Sequence, residues 1–79
     1  MVRFRFMGPF KKFMGELDSE GLWHQENIDG MTIGEFLDNT EVKNHFMNYS
    51  LQANNQNCER DYIMKDGDII RVIPIFSAG

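Results

Sequence analysis

The chain has 79 residues, a formal net charge of −4 and a single cysteine. A chain this short forms one domain with a thin core, burying roughly 60% of its unfolded surface, so its seven Phe, two Tyr and one Trp must supply much of the core mass. The acidic balance argues against a nucleic-acid binder. The lone Cys58 excludes an intrachain disulfide and a cysteine zinc cluster and fits the reducing cytosol. The longest apolar run is too short to span a membrane, and a chain that opens directly on an alternating strand is expected to carry no signal peptide.

In chain order, Val2 to Met7 alternates strictly, with Val2, Phe4 and Phe6 on one face and Arg3, Arg5 and Met7 on the other. This is the pattern of a half-buried strand, and Gly8-Pro9 breaks it. Phe10 to Gly15 reads as a loop with two burying aromatics, Phe10 and Phe13. Gly21 to Ile28 reads as a second strand, led by Leu22 and Trp23, in a hairpin with the first. Thr32-Ile33-Gly34-Glu35 matches a capping box, with Met31 and Phe36 placed as its hydrophobic staple. Ile33, Phe36 and Leu37 then form one apolar helical face, weakened by Gly34. Glu41 to Phe46 predicts a second helical turn, Tyr49 to Ala53 a third strand, and Asn54 to Asn57 a polar turn. Lys65-Asp66-Gly67-Asp68 predicts a tight turn with Gly67 at positive φ, leading into a final strand from Ile69 to Ile75.

Strands grouped around a central helix make an α+β fold with a mixed sheet of four to five strands on one main helix. Residues 1–75 form the domain and 76–79 a flexible tail. In this layout the first and last strands lie side by side and parallel at the sheet centre. If Ile70 and Val72 face the core, then Ile73 and Ile75 share the outer face with Met7, rimmed by Arg3, Arg5 and Arg71. An apolar patch with a basic rim is a candidate partner-binding surface. Beyond Ile75 the chain offers Phe76 and three small residues (Ser77, Ala78, Gly79), a tail expected to present a bare backbone carboxylate.

Other constellations carry less. His24 and His45 have no second ligand at metal-site spacing, and Cys58 as a persulfide relay competes with the inert thiol usual for a lone cysteine. Glu16, Asp18 and Glu20 read as a solvated turn.

Four segments together resemble the ubiquitin-like β-grasp sulfur carriers, namely the small subunit of molybdopterin synthase and the thiazole-synthesis carrier. They are Val2 to Pro9 as opening strand and turn, Met31 to Leu37 as helix start, Asp61 to Asp68 as approach to the last strand, and Val72 to Gly79 as apolar strand, proline and glycine-ended tail. Their order and spacing cover the whole chain, and Pro74 with the Gly8-Pro9 turn is more similar to the molybdopterin type. In one departure, Ala78 stands where the family tail has the first of two glycines, adding a methyl group and restricting φ.

The resemblance implies a sulfur carrier rather than an enzyme in its own right. An activating enzyme that uses ATP would adenylylate the Gly79 carboxylate, and a sulfur donor would convert it to a thiocarboxylate. The large subunit of molybdopterin synthase would then accept the sulfur. The chain itself would bind no cofactor. Met7 and Ile73 would occupy docking positions with Pro74 and Ile75, and Pro74 is expected to interrupt ladder pairing and begin the release of Phe76, Ser77 and Ala78. The alternatives are a thiazole-type carrier, a protein modifier joined through Gly79 to a lysine, and a β-grasp binding module with an inert tail.

Overall fold

The computed structural model describes residues 1–44 and 48–75. The chain folds as a small α+β domain with a mixed five-stranded sheet. The strands are β1 (Val2–Phe6), β2 (Trp23–Gln25), β3 (Asn48–Ala53), β4 (Gln56–Cys58) and β5 (Ile69–Ile75), in spatial order β2-β1-β5-β3-β4. Central β1 and β5 run parallel, with Phe4 opposite Ile70 and Phe6 opposite Val72. The β1–β2, β3–β4 and β3–β5 pairs are antiparallel. The expected parallel centre is therefore present, and the expected range of four to five strands resolves to five.

The period-two pattern of β1 and β5 does what it predicts. Val2, Phe4, Phe6, Ile70 and Val72 are fully buried, and they meet Phe10, Ile33, Phe36, Leu37, Val42, Leu51 and Met64 in one core. Phe4 stacks on Phe36, ring centroids 4.3 Å apart and nearly parallel, and meets Phe6 edge-on at 6.1 Å, both favourable aromatic geometries. The sheet thus has one face packed against helical segments and one face open.

Four elements differ from the sequence reading. The helix α1 covers only Ile33–Leu37. It starts where expected, with Thr32 Oγ1 accepting from Glu35 N at 3.1 Å, but its carbonyls are soon capped by side chains: Asn39 Nδ2 donates to Glu35 O at 2.9 Å and Thr40 Oγ1 to Leu37 O at 2.7 Å. It is a short helix supplemented by two 3-10 segments, Gly8–Phe13 and Glu41–Asn44, rather than one main helix. The first of these replaces the expected loop and buries Phe10, while the predicted helical turn at Glu41 to Phe46 is described only as far as Asn44. The polar segment after β3 is a second hairpin, in which Asn54 and Asn55 adopt positive φ (53° and 69°), the geometry of a type I′ turn, and β4 returns alongside β3. Finally, β2 spans three residues instead of eight, ending before Asn27 at φ 62°.

Candidate functional site

Parity in β5 divides its side chains and its backbone alike. Met7 N donates to Val72 O at 3.0 Å, so the backbone of Val72 faces β1, that of Ile73 faces β3, and that of Pro74 faces β1 again. The β1–β5 pairing ends at Phe6–Val72, so the proline nitrogen falls where no bond to β1 remains to be made. Pairing with β3 continues through Tyr49–Pro74 to Asn48–Ile75. The expectation that Pro74 interrupts the ladder is thereby corrected: a missing N–H matters only on the side it would have pointed to. Instead Pro74 packs closely over the end of β1. Gly8 has φ +58°, and a Cβ there would lie 3.1 Å from Pro74 Cγ, so glycine serves both the turn and the close approach.

Of the predicted docking residues, Ile73 and Ile75 lie on the open face, opposite the buried Ile70 and Val72. Ile75 is half exposed, at 50%, while Met7, Ile73 and Pro74 are half-buried. The apolar patch is therefore narrower than the alternation suggested. Phe76, Ser77, Ala78 and Gly79, predicted as the reactive tail, lie outside the described residues, as does His45.

Next to this patch the sheet carries a polar row. Arg5 of β1 pairs with Arg71 of β5, Arg71 with Gln52 of β3, and Gln52 with Asn57 of β4. Gln52 Nε2 donates to Asn57 Oδ1 at 3.3 Å. One register step away Arg3 lies between His24 and Ile69, its guanidinium 3.8 Å from Glu20. His24 meets Asp18 through Nε2. Asp18 also accepts from Glu20 N at 2.8 Å and Leu22 N at 3.0 Å. The Leu22 amide, with further help from His24, holds this carboxyl low, at about 2. Asp18, His24, Glu16, Leu17 and Trp23 line a shallow open depression of about 380 Å³. The acidic run read as a solvated turn is thus a turn built by Asp18, and His24 has a carboxylate neighbour. Among the described residues no group of three His, Cys, Asp or Glu side chains could hold a metal.

Two further polar clusters escaped the sequence reading. Asp68, 6% exposed, accepts from Asn54 Nδ2, Tyr62 OH and Lys65 N, each at 2.9 Å. Asn54 Oδ1 in turn accepts from Ile69 N at 3.0 Å. Burial pushes the Asp68 carboxyl up, and these donors outweigh it, so the group titrates below the usual range. The signal was the Asp66-Gly67-Asp68 turn, with Gly67 at φ +91° as expected; the partners from the β3–β4 hairpin and the connecting segment were invisible in it. Arg60 donates to Asp38 Oδ1 at 2.8 Å and to Gly34 O at 3.3 Å, and also reaches Tyr49 OH. A Cβ on Gly34 would lie 3.0 Å from this guanidinium, so the glycine that weakens α1 also admits Arg60. Cys58 is half-buried and free, and burial, aided by the carboxylates of Glu59, Asp61 and Asp68, pushes its thiol up. That favours the protonated thiol over the nucleophilic thiolate.

No helix among the described residues is long and apolar enough to cross a membrane. No family model, curated protein or solved structure matches the chain.

Proposed function

We propose that the chain is a sulfur carrier of the ubiquitin-like β-grasp kind, acting in the cytosol with an activating enzyme and a larger acceptor subunit, most closely of the molybdopterin-synthase type. The observation that carries the reading is the sheet order β2-β1-β5-β3-β4 with a parallel β1–β5 centre. It makes β5 the central strand, anchored on both sides as far as Val72 and by β3 on to Ile75, and the predicted tail follows directly from it. A rigid strand leading into small residues is the arrangement needed to thread a terminal carboxylate into another protein.

In this function a carboxylate oxygen of Gly79 attacks the α-phosphorus of ATP on the activating enzyme, and pyrophosphate leaves. A sulfur donor then displaces AMP from the acyl adenylate to give the thiocarboxylate. The chain supplies the reacting group and the docking face, and acid–base work belongs to the partner. Tethering the sulfur makes its delivery effectively intramolecular, an advantage of roughly 7–11 kcal/mol when the geometry is right. Ile75, Ile73 and Met7 give the partner an apolar contact where the tail departs.

The intact mass of the chain after incubation with ATP, an activating enzyme and a sulfide source tests the proposal. A gain matching one oxygen replaced by sulfur, located on Gly79, is expected. If an Ala78→Gly control is converted in the same tube and the natural chain is not, the carrier reading fails. Ala78 favours a second reading, a β-grasp binding module with an inert tail, for which removal of Ala78 and Gly79 leaves function unchanged.

A further inference from the structure

The charges of this chain are segregated in a way that net charge conceals. None of its twelve Asp and Glu residues lies in a strand, yet the open face of the sheet carries Arg3, Arg5 and Arg71. Arg5 and Arg71 stand directly opposite each other on the two central strands, about 4.8 Å apart in backbone spacing. Like charges in direct cross-strand register are unfavourable. Arg3 has a loose carboxylate neighbour in Glu20, but among the described residues neither Arg5 nor Arg71 has a hydrogen-bond or ion-pair partner for its guanidinium. Two arginines thus share directly neighbouring positions on the open face of the central strand pair, with no carboxylate set against either among the described residues. One register step beyond Arg71 come Ile73 and, at the strand end, the half-exposed Ile75.

We propose that this face docks an acidic, aliphatic protein segment, with one or two carboxylates seated across Arg5 and Arg71 and a Leu- or Ile-like side chain laid on Ile73 and Ile75. A carboxylate accepts paired N–H bonds from guanidinium groups and relieves their mutual repulsion. A nucleic acid fits less well. The net charge of −4 repels a long polyanion, and the strands present no Phe, Tyr or Trp on this face for base stacking. A short acidic segment spans only Arg5, Arg71 and the two isoleucines, while Glu20 beside this row faces Arg3. The inference concerns the sheet face and goes beyond the tail chemistry, so it stands or falls whether or not Gly79 is ever activated.

The test is an NMR titration of the ¹⁵N-labelled full chain with two amidated, acetylated peptides, Glu-Leu-Asp-Glu-Leu-Asp and its uncharged counterpart Gln-Leu-Asn-Gln-Leu-Asn. The acidic peptide is expected to bind with a dissociation constant on the order of 1 mM, shifting the backbone signals of Arg5, Arg71, Ile73 and Ile75 and the arginine Nε signals. Arg5→Gln with Arg71→Gln is expected to weaken binding about tenfold. Raising salt on the unaltered chain is expected to weaken it in the same direction, a readout that does not depend on the variant's folding. Equal binding of the uncharged peptide, shifts centred elsewhere, or no saturable shift at about 10 mM acidic peptide would each overturn the proposal. So would tighter binding of oligouridylate on the same footprint, which would make the face a phosphate surface.

Discussion

Asp18 and Asp68 each organise a turn by accepting backbone and side-chain donors, but they stand in different surroundings. Asp68 is 6% exposed and joins three parts of the fold: the turn before β5, the β3–β4 hairpin through Asn54, and the connecting segment through Tyr62. Asp18, with a side chain 22% exposed, meets among the described residues donors from its own hairpin, at Glu20, Leu22 and His24. The same chemistry is a tertiary lock in one place and a local cap in the other. Burial makes the difference, because the buried Asp68 carboxylate depends on these donors where water has little access to replace them.

The largest effect should come from removing the lock. Asp68→Ala removes the acceptor shared by the Tyr62 hydroxyl, the Asn54 amide and the Lys65 N–H, and should cost about 2 kcal/mol of stability, read as a lower urea midpoint with an unchanged slope. An unchanged midpoint would mean that water reaches these donors and that the turn is not a lock.

Acid should weaken both turns in one direction. Both carboxyls titrate lower in the folded chain than in the unfolded one. Their stabilisation is therefore complete above the unfolded value, about pH 4, and is lost as pH falls through the folded values, near 2 for Asp18. Carboxyl NMR titration between these limits should show both groups shifted below the ordinary aspartate value, and thermal stability should fall over the same window. A stability flat from about pH 4 to pH 2 would remove both turns from the account.

The smallest effect belongs to Asp18→Ala. It should lower the global unfolding midpoint less than Asp68→Ala does and speed amide hydrogen exchange at Glu20 and Leu22 alone. Faster exchange in β1 and β5 as well would show that the Asp18 turn also holds the sheet and would erase the contrast with Asp68.

The parts of the fold legible in the sequence were those written in short periods. β1 and β5 declared themselves by alternation over five to seven residues, and Thr32 with Glu35 marked the start of α1. β4 was not legible, because Gln56–Cys58 is an edge strand of polar residues. With one neighbour and an open face it has no buried stripe to display. The end of α1 was hidden for a related reason: Asn39 and Thr40 cap it through side chains whose alternative roles in a loop look identical in sequence. At the candidate site, the facing of Ile73 and Ile75 followed from parity. The continued pairing of Pro74 did not, since it depends on which neighbour an absent N–H would have faced.

Composition and local pattern by themselves determined the α+β class and placed Val2, Phe4, Phe6, Phe10, Ile33, Phe36, Leu37, Ile70 and Val72 in the core. The tertiary structure alone decided that Arg5 stands against Arg71, that Asn54 and Tyr62 converge on Asp68, and that Arg60 reaches Gly34, Asp38 and Tyr49. Alternation and capping act over a few residues and are carried by the chain itself. Register and burial are settled between segments tens of residues apart, where the deciding quantities are the distance between charges and the access of water.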